Sequence, residues 1–284
     1  MIKLKKPMFE IIHHADQQTI DEIYESYSPV FILTTGRSGT VFLTRLLEFS
    51  ETIIPYHEPA PTLQYFSNFA FHNQRDGDVL TKMVDAARME LILGVYIKNK
   101  TYVELNQCMT FFAPAIRMLF KNSKFIHIVR HPGNFVRSAV RKGWHINDSI
   151  WESGRVQMAE NEKWNVMDQI EKLSWVWNTT NEYIKQFGDK INQNRFISFK
   201  IEDLFDSPRC AKSLFNFIDG SKVSSKLIKE VQKTKINELI IGPNEPPNMK
   251  KIVPFPKYQS WDEGLKNKLK KHSQTLANFY HYEL

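Results

Sequence analysis

Residues 31–50 read FILTTGRSGTVFLTRLLEFS, and the reading of this stretch decides the fold. An apolar run from Phe31 breaks at Thr34-Thr35-Gly36-Arg37-Ser38-Gly39-Thr40 and then resumes at helical spacing. That is the pattern of a strand, an anion-holding loop and a helix. Gly36 and Gly39 admit backbone conformations that other residues avoid, so successive N–H groups can point at one anion. A helix opening near Thr40 adds its unpaired N–H groups and the positive end of its dipole. Ser38 and Thr40 offer hydroxyl donors, and Arg37 a planar fork that grips an oxyanion at two points. The lysine of the usual Gly-Lys-Ser/Thr ending is missing.

Outward from this stretch, Val30 to Thr34, Leu91 to Ile97, Lys124 to Val129 and Arg195 to Phe199 read as strands. Helical patterns lie between them, at Thr40 to Phe49, Val79 to Glu90, Glu104 to Lys121 and Gly133 to Lys142. Strand followed by helix, repeated, implies right-handed crossovers. The expected fold is α/β, a three-layer, P-loop-like arrangement with a central, mainly parallel sheet flanked by helices. Ligands of such sheets sit at the carboxyl ends of the strands, so the turn after Thr34 and the turn Arg130-His131-Pro132-Gly133 should face one crevice. The segment from Trp144 to Lys190 is Trp-rich and helical, an insertion within a single domain spanning 1–284. Trp175 and Trp177 are two apart and cannot share a helix face, so one ring must pack against a neighbouring element. A non-periodic stretch rich in Pro and Gly after Ile240 reads as a loop before a last helix.

The chain has 284 residues, 42% hydrophobic and 24% charged, an ordinary globular composition. Its net charge of +7 suits an anionic partner, but the excess is mild, and the run Lys266 to Lys271 reads as the wet face of a helix. No nucleic-acid motif or interleaved aromatic strip accompanies the basic residues. Cys108 and Cys210 are the only cysteines, too few for a disulfide scaffold or a thiolate metal site, and no other metal-ligand motif is evident. The N-terminus has basic residues without an apolar segment of signal length, and no long uncharged apolar stretch occurs, so a cytoplasmic protein without a membrane span is expected.

A second stretch, FIHIVRHPGNFVRSAVRKGW, places Arg130 at a strand end and Ser138 eight residues later on the following helix. These residues can close on a second, separate phosphate, and two phosphate sites at two strand ends suit a bisphosphorylated nucleotide. Taken together, Gly36-Arg37-Ser38-Gly39-Thr40 followed by Arg130-His131-Pro132 and Ser138 resembles the sulfotransferases that use 3′-phosphoadenosine-5′-phosphosulfate (PAPS). The resemblance implies that the first loop holds the 5′-phosphosulfate and that Arg130 and Ser138 hold the 3′-phosphate. The arginine in the loop is similar to that of carbohydrate and protein-tyrosine sulfotransferases, where the branch acting on phenols and steroids carries lysine. It implies that Arg37 neutralises charge on the sulfuryl group and the leaving oxygen. Lys100-Thr101 resembles a Lys-Thr-Pro of bacterial members, with Tyr102 in place of proline, and implies a catalytic Lys100. FISFKIEDLFDSP resembles a Tyr-Glu-Asp-Leu stretch of the family, with Ile201 in place of the tyrosine. The late loop with Lys250, Lys251 and Lys257 resembles the segment that closes over the nucleotide.

In TIIPYHEPAP, His57 and Glu58 stand at the end of a short extended run, close by topology to the first loop. A glutamate similar in position is the general base of carbohydrate sulfotransferases, which implies that role for Glu58; His57 is the rival, since histidine titrates near neutral pH. The expected reaction is metal-free transfer of a sulfuryl group from PAPS to a hydroxyl-bearing acceptor, by resemblance a carbohydrate. A P-loop kinase would share the sheet and the first loop, but it would need the missing lysine ending and leaves Arg130 with Ser138 unexplained. A non-catalytic binder of polyanions is the third reading.

Overall fold

The computed structural model describes residues 16–146, 150–233 and 254–284. Five strands form one sheet: β1 (Val30–Leu33), β2 (Ile53–His57), β3 (Thr101–Leu105), β4 (Lys124–Val129) and β5 (Phe196–Lys200). Their order is β2-β3-β1-β4-β5 and every pair is parallel. The register sets Val30 against Val103 on one side and Lys124 on the other, Ile53 against Thr101, and Phe125 against Phe196. The chain leaves central β1 for β2 and β3 on one flank, then crosses to β4 and β5 on the other. The carboxyl end of β1 is therefore the switch point, where such sheets open a ligand crevice.

All four residues of β1 are buried, as expected of a strand covered on both faces. Phe31 and Leu33 enter one apolar core with Tyr102 and Phe125, whereas Val30 and Ile32 enter the opposite core with Val103 and Ile126. Helices Gly77–Tyr96 and Ala113–Leu119 contribute to the first core, and helices Thr40–Leu47 and Pro208–Ile218 to the second. A third apolar cluster joins helices Pro132–Arg141, Gln169–Gly188 and Glu263–Phe279 around Trp144, Trp164, Trp177 and Trp261.

The expected strand at Leu91 to Ile97 is instead the end of helix Gly77–Tyr96. Ile92, Leu93 and Val95 are all buried there, so the run is continuous in apolar character without being extended. A short apolar run of this kind does not separate strand from buried helix. The missing strand is β3, which sequence reading divided between Lys100-Thr101 and a helix beginning at Glu104. That helix resolves into the end of β3, a 3-10 turn at Gln107–Phe112 and helix Ala113–Leu119. The Trp-rich insertion is helical as expected, with Trp177 fully buried and Trp175 turned to Phe71 and Trp164. The lysine run lies on the last helix, where Lys268 meets Asp168 at 2.5 Å and Lys271 meets Glu171 at 2.9 Å. No described helix is long and apolar enough to cross a membrane.

Candidate active site

Residues 34–39 leave β1 and turn directly into helix Thr40–Leu47. Three residues of this turn take left-handed backbone: Gly36 at φ 74°, Arg37 at φ 51° and Gly39 at φ 78°. At Gly36 a Cβ would also lie 1.4 Å from Gln107 Oε1, so that the glutamine side chain would have to move away from the loop. At Gly39 a Cβ would fall 2.7 Å from Ile201, the residue that stands where the resembled stretch has tyrosine. Gly39 caps the helix and has no side chain to spend on its first N–H groups, an arrangement suited to an external anion.

The loop hydroxyls divide between scaffold and site. Ser38 is fully buried and donates to the Gly36 carbonyl at 2.9 Å, with Thr35 Oγ1 at 3.1 Å from its own oxygen. Its hydroxyl therefore closes the loop rather than facing a ligand. Thr40 Oγ1 lies 3.0 Å from His57 Nε2, which ties the end of β2 to the start of the loop helix. Burial pushes the His57 imidazole below its ordinary range; the Glu58 charge opposes this and the Arg37 charge adds to it. His57 is thus flanked by Glu58, Arg37 and Thr40. Glu58 is exposed, holds φ 45°, and donates its N–H to the Leu105 carbonyl at 3.1 Å, which prolongs the β2–β3 pairing by one residue.

The two arginine stretches meet. Arg37 Nε donates to Ser138 Oγ at 3.1 Å, and Arg130 Nη1 donates to the Arg37 carbonyl at 2.6 Å. Arg130 is itself positioned by its carbonyl, which accepts the Trp177 indole N–H at 2.8 Å. Burial lowers the Arg130 pKa, nearby Glu202 raises it, and Arg137 lowers it further. His131 is structural: its Nδ1 accepts from Gly133 N, and its backbone N–H donates to Glu202 at 3.0 Å.

Lys100 is not part of this assembly. It immediately precedes β3, at the amino end of the sheet, while the loop, His57, Glu58 and Arg130 all stand at carboxyl ends. At its carboxyl end β3 runs into Asn106-Gln107-Cys108. Gln107 packs on Gly36, and Asn106 caps the turn by accepting from Cys108 N at 3.0 Å. The Cys108 thiol is pushed up to about 12 by burial, which keeps it unreactive. Gln107, Arg137 and Trp177 were not legible as site residues, since only the tertiary fold brings them here. Of the late-loop lysines, Lys257 is exposed, whereas Lys250 and Lys251 lie outside the described residues.

Between the loop and the Trp-rich insertion lies a cavity of about 40 Å³, lined in part by Thr34, Thr35, Gln107, Cys108, Trp144 and Arg155. It is large enough for water but not for a sugar ring. Arg155 stacks 3.8 Å from the Trp144 ring and pairs with Glu152 at 2.8 Å, so its charge is already matched. Among the described residues no group of three or more His, Cys, Asp or Glu is placed to hold a metal ion.

No family model matches the sequence, and no curated protein does. Solved structures with a similar fold include a sulfotransferase domain from the curacin biosynthetic pathway, at 20% identity, covering 92% of this chain and 99% of that one with a TM-score of 0.54. They also include the sulfotransferase domain of the Synechococcus PCC 7002 olefin synthase, at 17% identity, covering 91% and 97% with a TM-score of 0.50. The chain adopts the fold of these sulfotransferase domains.

Proposed function

We propose that the chain is a sulfotransferase that moves a sulfuryl group from PAPS to an acceptor hydroxyl. The observation that carries this reading is the junction of the two motif stretches, with Arg37 on Ser138 and Arg130 on the Arg37 carbonyl. It sets an anion-binding helix start beside a second cluster of guanidinium groups and a hydroxyl. One phosphate needs only the first; a nucleotide with phosphates at both ends uses both. The fold shared with two sulfotransferase domains supports the same reading.

In this reading the N–H groups of residues 36–40 hold the 5′-phosphosulfate, and Arg130 with Ser138 holds the 3′-phosphate. The Glu58 carboxylate takes the acceptor proton as the hydroxyl oxygen bonds to sulfur and the bond from sulfur to the bridging oxygen breaks. The bridging oxygen leaves on the adenosine bisphosphate, its new charge met by the loop N–H groups and the Thr40 hydroxyl. Acceptor hydroxyls of a carbohydrate suit the Glu-Pro pair at 58–59, by resemblance. Lys100 has no place in the step.

The test is a titration, without metal, of the protein with 3′-phosphoadenosine-5′-phosphate, AMP and ATP. Preference for the 3′,5′-bisphosphate is expected. Preference for ATP with magnesium, or equal affinity for all three, would overturn the reading.

A further inference from the structure

We infer that Glu202 and Tyr282 are positioning residues of the second phosphate site. The Tyr282 hydroxyl and a backbone N–H tether the Glu202 carboxylate, and so keep Arg130 open to the 3′-phosphate of the nucleotide. This rests on the PAPS reading and deepens it, since it says what leaves the Arg130 guanidinium free to bind.

A carboxylate beside a guanidinium ordinarily closes on it in a two-point pair. Glu202, in the first turn of helix Ile201–Asp206, acts on Arg130 through its charge, so the two groups lie within electrostatic reach. Yet among the described residues Arg130 makes no ion pair, and its guanidinium has one hydrogen bond, from Nη1 to the Arg37 carbonyl at 2.6 Å. Both oxygens of Glu202 are engaged elsewhere. Oε1 accepts from the His131 backbone N–H at 3.0 Å, and Oε2 accepts from the Tyr282 hydroxyl at 2.8 Å. The phenol is itself held in place. Its residue is 8% exposed, Lys200 Nζ stands 4.6 Å from the ring centroid, and the same Nζ donates to the His281 carbonyl at 3.1 Å. His131 adds a further contact: Nδ1 accepts from Gly133 N, so Nε2 carries the proton and donates to the Glu283 carbonyl at 3.0 Å. Burial and the Glu202 charge push the Tyr282 phenol well above its usual range, so it keeps the proton that it gives to Glu202. Residues 280–284, after the last helix, thus strap the turn at 130–132.

The consequence is a pair of effects with opposite signs. Without the Tyr282 hydroxyl, Oε2 is left to pair with Arg130, and a phosphate must then displace it. Without the Glu202 charge there is nothing to displace. A segment that only supported the fold would make both changes harmful to binding.

The experiment measures affinities for 3′-phosphoadenosine-5′-phosphate and for 5′-AMP by calorimetry, in the wild-type protein and in Tyr282→Phe, Glu202→Gln and the double variant. Tyr282→Phe is expected to weaken the bisphosphate roughly 5- to 30-fold, the range of an ion pair that the phosphate must break, with 5′-AMP changed less than about twofold. Glu202→Gln should bind the bisphosphate as tightly as the wild type or more tightly, since its carbonyl can accept from His131 N and its amide can donate to the phenol oxygen. The double variant should return to within about threefold of the wild type, because the competing carboxylate is gone. Unchanged bisphosphate affinity in Tyr282→Phe, a loss in Glu202→Gln, or no rescue in the double variant would overturn the inference. Equal loss for both nucleotides in Tyr282→Phe would overturn it too, while leaving the PAPS reading intact. A wild-type protein that fails to prefer the bisphosphate would overturn the PAPS reading itself. Should the Tyr282 variants not fold, Glu202→Gln against the wild type decides the sign alone.

Discussion

Glu58 and His57 are adjacent residues with different tasks set by their backbone. His57 ends β2 with its ring on Thr40 at 3.0 Å, a contact that ties it to the loop helix, and burial pushes its imidazole below the ordinary range. Glu58 turns left-handed at φ 45° and leaves its carboxylate exposed beside that loop. In the proposed reaction Glu58→Gln removes the proton acceptor without changing the shape. Turnover should fall roughly 10²- to 10⁴-fold with affinity for the bisphosphate nucleotide kept. Near-wild-type turnover in a steady-state assay would strip Glu58 of the role. At this scale the sequence was legible wherever chemistry is carried by neighbours in the chain. Gly36, Arg37 and Gly39 announced a loop, and Arg130 with Ser138 announced a second cluster of polar groups, which meets that loop. It was not legible where a role depends on direction. Ser38 carries a hydroxyl in the right loop, yet spends it on the Gly36 carbonyl.

Among the elements, β3 is the one that sequence reading missed, and its loss misplaced Lys100. A glutamate in the middle of a buried strand defeats apolar periodicity, and Glu104 is 1% exposed. The fold accommodates it with Arg88 from helix Gly77–Tyr96, whose Nε and Nη2 reach the two carboxylate oxygens at 2.7 and 2.8 Å. Tyr102 and Asn106 donate to the same carboxylate at 2.7 and 3.0 Å. The cluster also grips the segment after Glu58, since Arg88 Nη1 donates to the Pro61 carbonyl at 2.8 Å and Asn106 to that of Thr62 at 3.2 Å. A sequence-local reading has no access to a partner sixteen residues away in another layer. Glu104→Gln leaves a buried guanidinium without its counter-charge, and it should cost about 3–5 kcal/mol in urea unfolding. A loss under about 1 kcal/mol would mean that the hydrogen bonds, not the charges, hold this corner.

Among the histidines whose burial opposes protonation, His127 and His145 are shifted furthest, and they contribute to the molecule's response to acid. His127, on β4, is fully buried with Nε2 at 2.9 Å from Asn181 Oδ1, and burial pushes it down to about 4. His145, at the start of the Trp-rich insertion, is pushed down to about 3 by burial and by the charges of Arg155 and Lys172. In the unfolded chain each titrates near 6.5. As the pH falls below that value the unfolded state takes up protons that the folded state refuses, so stability is lost as pH falls from about 6.5. By pH 5 the loss should be roughly 2 kcal/mol for each histidine, since each then lies about 1.5 units below its unfolded value. Urea midpoints at pH 8, 6.5 and 5 read this directly, at pH values where most carboxylates remain ionised. His127→Gln keeps a donor toward Asn181 and cannot titrate, so it should remove about 2 kcal/mol of the loss between pH 8 and pH 5, whatever it costs in absolute stability. Midpoints that do not move between pH 8 and pH 5 would show that both rings take up protons in the folded state, and that the layers over the sheet open to water more readily than their packing implies.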